Sequence, residues 1–323
     1  MIRERENISL VFENGVFSEN ESNTRALLKN GITFTMSDKG FVLTVPKNKV
    51  ISAPLHLHYI NSQHALTTIL ENTVFVDEQS ELHIIEEYRA KDAENYSASI
   101  NTQIHAERSA RVHYYKIQDE HTTAAHSAKT TIQQKQDSNV QAFFLLQGSK
   151  QGKDSVNVQL QARGAECYLH GLYMLNQDGQ HVDHHIQVDH IASHTVSSMR
   201  CKSILDKKSR AGFTGKVLVH KDAQRINAHQ ENHNLLLSAH AQVETKPELE
   251  IYADDVKCTH GATVGQLNKE ALFYLCSRGI PQSEAMKLLT HAFVADVVEH
   301  IPLPAVMKYI NSLVQAKLTA GGA

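Results

Sequence analysis

Short runs of alternating apolar and polar residues fill this chain from about residue 50 to residue 264, and this pattern limits the possible folds most strongly. The runs are separated by small polar clusters that are typical of turns. They include LHIIEEY at 82–88, VHYYKI at 112–117, VNVQLQ at 156–161, CYLHGLYML at 167–175, VDHHIQVDHI at 182–191, GFTGKVLVH at 212–220 and AQVETKPELEIYA at 241–253. No helical period of ordinary length interrupts them, which disfavours a doubly wound α/β fold. The folds that remain possible are a β-sandwich, a β-barrel and a β-solenoid.

The pattern becomes helical after Gly265. Asn268 is a good N-cap residue, Gly279 a good helix terminator, and Pro281 and Pro304 fit first helical turns. We expect three helices, over 268–277, 281–300 and 304–318. The second helix has apolar residues at helical spacing, namely Leu288, Leu289, Ala292, Phe293 and Val297. The helices could form a cap on the last coil or a docking surface for another protein.

Composition excludes several classes of protein. The formal net charge of −3 gives no single-sign field for nucleic acid or an anionic membrane. The first residues, MIRERENISL, lack a signal-peptide hydrophobic stretch, and nowhere do some eighteen apolar residues run together. The four cysteines show no C-x-x-C spacing, which suits a reducing compartment. We therefore expect a cytoplasmic protein.

Cys258 and His260 form the first candidate site. They lie two residues apart on a predicted strand, so their side chains point to the same face. Two such ligands can approach one ion or one transferring sulfur species. By itself the pair is a weak metal signal, because a buried cysteine or a hydrogen-bonded histidine is the commoner explanation.

The second candidate is HVDHHIQVDHIASH at 181–194. Strand alternation places His181, Asp183 and His185 on one face and His184 on the other. The fixed spacing of a metalloprotease motif is absent. We therefore favour structural or interface histidines over metal ligands.

Other motifs predict no chemistry. GSKQGKDS at 148–155 resembles a phosphate-binding loop, but the glycine spacing is too short and Asp follows the lysine, so we interpret it as a polar turn. The chain should therefore not hydrolyse ATP. Cys167, Cys201 and Cys276 are expected to be structural.

Three longer segments connect the chain to a known family. They are ILDKKSRAGFTGKVLVHKDAQRINAHQENHNLLLS at 204–238, KPELEIYADD at 246–255 and KCTHGAT at 257–263. Together they closely resemble the SufD-type scaffold subunits of the SufB/SufD family, which take part in iron–sulfur cluster assembly, and the resemblance extends from about Val42 to Val298. It implies a right-handed parallel β-helix core over 50–265, a strand-like flanking segment at 1–49 and a C-terminal helical domain at 266–323.

In such a β-helix each strand pairs with the coils above and below, around a column of inward side chains. Val217, Val219, Leu235 and Leu237 are expected in that column. The terminal coils would leave unpaired strand edges that need a cap or a partner.

The resemblance also implies partners. The terminal edge is expected to pair with a SufB-like subunit, and the C-terminal helices to engage the SufC ATPase. The same edge is expected to accept a second copy of this chain when SufB is absent. Family members usually begin with an additional helical region, whereas this chain enters the strand-like NISLVFENGVF almost at once.

The resemblance assigns His260, assisted by Cys258, a metal-ligand or transfer role at the SufB interface. Imidazole and thiolate both suit iron and nascent clusters. The SufB branch carries a cysteine near 231–238, whereas this chain reads ENHNLLLS there. We therefore expect no stably bound cofactor, and at most a transient iron–sulfur cluster or iron at the interface.

The rival hypothesis is a carbohydrate-active enzyme, a polysaccharide lyase or hydrolase, because β-helices also host that chemistry. It requires carboxylates that converge in an aromatic-lined groove. Asp254 and Asp255 should point to opposite faces, and tryptophan is absent from the chain. An open carboxylate groove would favour the enzyme, and a bare terminal edge beside His260 would favour the scaffold.

Overall fold

The computed structural model describes residues 8–320. It confirms the mainly β fold: a parallel β-solenoid of about eight turns is followed by helices. No helix in this range is long and apolar enough to cross a membrane.

Nineteen strands form two facing sheets within residues 8–320. The ten-stranded sheet contains β1 (Ile8–Glu13), β2 (Val16–Phe17), β5 (Leu55–Asn61), β7 (Glu81–Ala90), β9 (Arg111–Asp119), β11 (Asn139–Leu146), β13 (Glu166–Leu175), β15 (Val196–Leu205), β17 (Ile226–Leu236) and β19 (Val256–Gly265). The nine-stranded sheet contains β3 (Thr33–Ser37), β4 (Gly40–Val45), β6 (Thr67–Val76), β8 (Ser97–Ala106), β10 (Ala125–Gln134), β12 (Gln151–Leu160), β14 (His181–His190), β16 (Arg210–Val219) and β18 (Gln242–Ile251).

The chain alternates between the sheets, so each coil contributes one strand to both. Every strand from β5 to β17 pairs in parallel with the strand one coil before and one coil after it. The coil length varies from 26 residues between Ala125 and Gln151 to 32 residues between Arg210 and Gln242. This variation explains why the sequence shows no exact repeat.

A left-handed turn recurs at the same corner of successive coils, just before strands of the larger sheet. Its residue has positive φ and donates its backbone N–H to a carbonyl of the next coil, as in Ser109 to Gln136 (2.8 Å) and His194 to Gln224 (2.9 Å). The residue type varies from coil to coil, although this conformation favours glycine. The corners of successive coils therefore share a backbone geometry but not a residue type.

The main apolar core lies between the two sheets. Side chains alternate along each strand, and the inward ones stack coil upon coil. Val217 and Val219 lie inside, as predicted. Leu237 instead packs against the cluster beneath the C-terminal helices, while Leu236 packs against the inner core. Leu235 pairs with Ile204 of that outer cluster. The predictions for Leu235 and Leu237 were therefore wrong, because the outer face is also apolar here and hydrophobicity alone does not identify the inner face.

The inner core is covered at the amino-terminal end of the solenoid, where Ile8, Leu10 and Phe41 are fully buried. β1 and β4 join the two sheets in parallel with β5 and β6, so coil-type pairing extends to residue 8. β2 and β3 then add antiparallel edges, and the short helix α1 (Thr24–Lys29) lies between them along the chain. The predicted strands in NISLVFENGVF are confirmed from residue 8, and residues 1–7 lie outside the described range.

Three helices end the chain: α2 (Lys269–Ser277), α3 (Gln282–Val298) and α4 (Pro304–Ala320). The Asn268 side chain caps α2 by accepting a hydrogen bond from the Ala271 backbone N–H at 3.0 Å. Gly279 has φ of +87° after this helix. Pro281 is the N-cap residue of α3, just ahead of the predicted first turn.

The buried face of α3 only partly coincides with the apolar stripe found in the sequence. The fully buried residues of α3 are Ala285, Thr290, Val294, Val297 and Val298. Of the predicted stripe, only Val297 is fully buried, Leu289 and Phe293 are half-buried, and Leu288 and Ala292 are exposed. Helical spacing identifies an apolar stripe, but this helix has apolar residues on more than one face, and the sheet covers only one of them.

α3 and α4 pack on the outer face of the larger sheet and not on the last coil. Five strands, β7 to β15, present apolar side chains outward there, including Ile117, Leu145 and Leu172. Val306, Ile310 and Val314 of α4 lie fully buried in the same cluster. A second core thus attaches the helices to the solenoid.

We expect Ile310→Ala to destabilise the protein by about 2–5 kcal/mol, because it opens a cavity in this second core. The control is Leu288→Ala, since Leu288 is 49% exposed and its loss should change little. Urea unfolding followed by circular dichroism measures both. Equal midpoints for the two variants would contradict the packing of α4.

Candidate functional site

The carboxyl-terminal end of the solenoid is an open edge. β18 pairs only with β16, and β19 only with β17, among the described residues. The other side of each strand presents unpaired backbone N–H and C=O groups, which can pair with another chain. Pro247 lies in β18, where its missing N–H suits an edge position. The predicted bare edge is therefore present.

The inward side chains of the last coil are left uncovered at this end. Ile251 stacks on Val219 of the preceding coil, and Val264 stacks on Asn234. Both therefore point inward. Ile251 is 39% exposed and Val264 50% exposed, whereas Val219 is fully buried. The end of the solenoid therefore presents an apolar surface to solvent, framed by two strand edges.

Cys258 and His260 lie on this open end. In β19 they pair with Ala228 and Gln230, both inward and buried, so the two side chains continue the inner rows. The same-face prediction is confirmed. Cys258 is half-buried against the apolar cluster of Val217, Ala228 and their neighbours, while His260 is exposed.

The two side chains differ in chemical state. Burial raises the pKa of the Cys258 thiol, an effect that a hydrogen bond to the Ala228 backbone opposes. In the isolated chain Cys258 is therefore a thiol at neutral pH and needs a metal or partner to become thiolate. Beneath His260, Gln230 donates to the Gly215 carbonyl at 2.9 Å, and its buried Oε1 lacks a hydrogen-bond partner among residues 8–320.

The histidines of 181–194 do not converge on one point. His181 and His185 lie outward on β14, and His181 contacts Asp183 at 3.1 Å. His184 lies inward, 3.3 Å from Asp154. His194 is the residue of a left-handed corner turn. The arrangement agrees with structural histidines.

His190 is a fully buried structural histidine. Its ring nitrogens contact the hydroxyls of Thr195 (2.7 Å) and Ser197 (2.8 Å) inside the solenoid. Burial lowers the pKa of His190 to about 4. The ring is therefore neutral at physiological pH.

A line of buried polar groups runs inside the solenoid, and the sequence analysis missed it. Lys116 and Asp154 form an ion pair with both side chains buried. Burial opposes ionisation of Asp154, but Lys116 and then His184 keep its pKa below the usual value. The His184 ring also contacts the hydroxyl of Tyr173, which lies beside Cys201. The alternation in the sequence conceals these residues, because inward positions are expected to be apolar.

The remaining motifs have structural roles. The loop-like GSKQGKDS is a turn that enters β12, and its Asp154 is the buried carboxylate just described, so the polar-turn interpretation agrees with the structure. Cys167 and Cys201 are buried in the inner core. Cys276 lies half-buried in α2.

Two groups of histidine and glutamate outside the predicted sites could hold a metal. His56, His58 and Glu87 form one group on the outer face of β5 and β7. Glu81, His83 and His113 form the other on β7 and β9. The His-x-His spacing at 56–58 is a sequence signal, but the glutamate lies 31 residues after His56, one coil away. Only knowledge of the coil length could have connected them.

Comparison with known families agrees with this architecture. Residues 58–293 match the family model described as SUF system FeS cluster assembly, SufBD core domain. The match defines the chain as a protein of the SUF system for iron–sulfur cluster assembly.

The chain belongs to the SufBD family. It is 30% identical over 296 residues to an iron–sulfur cluster assembly SufBD family protein of Synechocystis sp., covering 88% of this chain and 65% of the relative. It is also 30% identical over 245 residues to the iron–sulfur cluster assembly protein SufD of Escherichia coli, covering 76% of this chain and 57% of the relative. SufD of Bacillus subtilis is 25% identical over 295 residues, covering 86% and 64%. The chain spans about three-fifths of the length of these relatives.

The buried histidines predict acid sensitivity. Burial lowers the pKa of His184 and His190 to about 4, whereas an unfolded histidine titrates near 6.5. The unfolded chain therefore binds protons first as the pH falls, so the free energy of unfolding should decrease between about pH 6.5 and pH 4. Each histidine can contribute up to about 3 kcal/mol.

Thermal unfolding of the protein between pH 7 and pH 4.5 measures this slope. His190→Gln should make it shallower, while His185→Gln, which changes an exposed histidine of the same strand, should leave it unchanged. The same slope in all three proteins would show that His190 is not buried as a neutral ring.

Proposed function

We propose that this chain is a non-catalytic scaffold subunit of a SufBCD-type complex for iron–sulfur cluster assembly. The open end of the solenoid pairs with a SufB-like subunit, and the C-terminal helices bind the SufC ATPase. A cluster or iron is held transiently at the paired end, and the protein works in the cytoplasm. The observation that carries the proposal is the asymmetry of the solenoid, whose inner side chains are buried at the amino-terminal end and uncovered on β18 and β19.

Pairing at the open end is supported by its two kinds of unsatisfied surface. The strand edges offer backbone groups in parallel register, and the uncovered inward side chains offer apolar area. A second solenoid of the same family can continue both the sheets and the inner core. A second copy of this chain offers the same features, so a homodimer is expected when the SufB-like subunit is absent.

ATPase docking is supported by α2, which has no buried residue. Phe273 is 75% exposed and Tyr274 57% exposed on it, and Leu288 of α3 is also exposed. α2 packs on α3, which in turn is attached to the sheet through Val294 and Val297. The helices thus combine a fixed inner face with an uncovered apolar face, as expected for a docking platform.

A role for His260 at the paired end is supported by its position. Its imidazole is exposed beside Cys258, and a partner subunit would enclose both. Neutral imidazole and thiolate are suitable ligands for iron and for nascent clusters. The raised pKa of Cys258 means that the isolated chain presents a poor ligand, so metal binding there would depend on the complex.

The carbohydrate-enzyme alternative has less support. Family membership points to cluster assembly. A cleft between β13, β15 and the C-terminal helices is lined by equal numbers of apolar and polar residues and has a single carboxylate, Asp206, among them. Glycoside chemistry by the usual route requires two carboxylates across one site.

The main test is co-expression with the SufB-like and SufC proteins of the same organism, followed by capture of this chain and analysis of iron and sulfide. His260→Ala should leave the complex intact and lower its iron and sulfide content, because a ligand at the paired end is lost. The control is His240→Ala, an exposed histidine in the turn before β18. Failure of both partners to co-purify, or equal iron content in the two variants, would contradict the proposal.

Two further variants separate the two docking surfaces. Ile251→Asp places a charge on the open end and should abolish capture of the SufB-like subunit while SufC still binds, because burying an unpaired carboxylate is costly. Phe273→Asp should abolish capture of SufC while the SufB-like subunit still binds, because Phe273 is exposed on α2.

Light scattering of the isolated chain checks self-pairing at the same surface. We expect a dimer for the wild type and a monomer for Ile251→Asp. In the capture experiment, Ile251→Asp and Phe273→Asp could each lose both the SufB-like subunit and SufC while remaining folded. That result would show that the two docking surfaces are not separate.

A further inference from the structure

The outer face of the larger sheet carries a cluster of three potential ligands far from the open end. His56 and His58 both point outward from β5, because Leu57 between them is buried in the inner core. Glu87 of β7 lies opposite His58 in the parallel register. β7 is separated from β19 by five strands of the same sheet, so this cluster is independent of the proposed partner interface.

The distances bring three ligand atoms together. His56 Nε2 lies 2.8 Å from Glu87 Oε2, and His58 Nδ1 lies 3.5 Å from the same oxygen. All three ligand atoms lie within 4.8 Å of one another. Around a tetrahedral ion with bonds of about 2.0–2.2 Å, ligand atoms are roughly 3.4 Å apart. The distance from His58 Nδ1 to Glu87 Oε2 already fits this value. The distance from His56 Nε2 to the same oxygen must lengthen by about 0.6 Å.

The protonation states suit a cation. Burial, and then the neighbouring His56, lower the pKa of His58 to about 4, so its imidazole is neutral at pH 7. Burial opposes ionisation of Glu87, but the hydrogen bond and the positive charge of His56, and then the charge of Arg89, lower its pKa to about 2. The cluster thus offers a carboxylate and a neutral imidazole in the forms that bind metals.

The carboxylate is also held in place from behind. Its other oxygen, Oε1, accepts a hydrogen bond from Arg89 Nε at 2.7 Å and another from the Tyr309 hydroxyl of α4. Outer partners of this kind orient ligating carboxylates in metal sites. The positive charge of Arg89 opposes a cation, but its side chain is 45% exposed and lies on the opposite side of the carboxylate group.

We propose that His56, His58 and Glu87 bind one divalent transition cation of borderline softness, Zn²⁺ or Fe²⁺, on the outer face of the solenoid. Two imidazoles and one carboxylate are a donor set that both ions accept, with the remaining positions taken by water. Mg²⁺ and Ca²⁺ prefer all-oxygen sites and are excluded by this donor set. The stacked imidazole rings, with centroids 3.6 Å apart, must splay slightly to direct both nitrogens at one ion.

The neighbouring cluster of Glu81, His83 and His113 is the weaker candidate. Its nitrogens lie 3.5 and 3.9 Å from Glu81 Oε1, and the Arg111 guanidinium approaches the other oxygen of that carboxylate to 4.0 Å. It lacks a short hydrogen bond that would fix Glu81. It therefore serves as the rival site in the test.

The test uses the tag-free full chain, stripped with a chelator and titrated calorimetrically with Zn²⁺ alone and, without oxygen, with Fe²⁺ alone. We expect one binding site in the wild type. His58→Gln should lower the metal affinity by at least about 100-fold, because removing a ligand should weaken binding more than removing an outer hydrogen-bond partner does. Tyr309→Phe should lower affinity by roughly 10-fold. His105→Gln, at an outward histidine stacked on Phe75, should bind like the wild type.

Circular dichroism of metal-free samples shows whether each variant is folded. If His58→Gln is not, His56→Gln replaces it. Zn²⁺ binding of unchanged affinity in a folded variant of His56 or His58 overturns the proposal, as does absence of binding to the wild type or equal binding of Mg²⁺. Loss of the site in His83→Gln with retention in His58→Gln would assign the metal to the rival cluster and also overturn it.

Discussion

Parallel pairing between successive coils is the constraint on which the rest of the structure depends. Each strand from β5 to β17 satisfies its backbone groups only through the coils before and after it. Such a stack is stable in its middle and incomplete at both ends. At the amino-terminal end the inner residues Leu10 and Phe41 are fully buried, whereas Ile251 and Val264 of the last coil are exposed. The uncovered end is therefore the surface at which we propose association.

The inside of the solenoid combines apolar rows with fixed polar contacts. An ion pair such as Lys116–Asp154 gains little net stability, because desolvation offsets the attraction. It does penalise any slip of the coils, since a one-residue shift would turn either charge away from its partner. We infer that the buried polar groups maintain the register that places Cys258 and His260 in the last inner row. Stacking inside the solenoid thus determines where these two side chains lie at its end.

The outer face of the larger sheet is divided between packing and polar chemistry. The carboxyl-terminal halves of β9 to β15 are mainly apolar on this face and lie under α3 and α4, which are thereby fixed as a platform for α2. The uncovered part carries the histidine and glutamate groups of β5, β7 and β9. Tyr309 of α4 links the two parts by donating to Glu87. A cation bound there would therefore be coupled to the docking of the helices.

The sequence alone determined what depends on local periodicity. Alternation identified the strands and placed Cys258 beside His260 and His184 opposite His185, because side chains of a strand alternate whatever it packs against. Cap residues such as Asn268 located the helices for the same local reason. The solenoid itself was predictable only by resemblance, because coil lengths vary and the corner residues share a conformation and not an amino-acid type.

The tertiary structure decided everything that depends on contacts between coils. Leu235 and Leu237 were misassigned to the inner row because an apolar residue does not reveal which of two apolar surfaces buries it. Glu87 meets His56 from 31 residues away, and Asp154 meets Lys116 from 38 residues away. These partners become neighbours only when the coils are stacked in one register, which is a property of the whole chain and not of any segment.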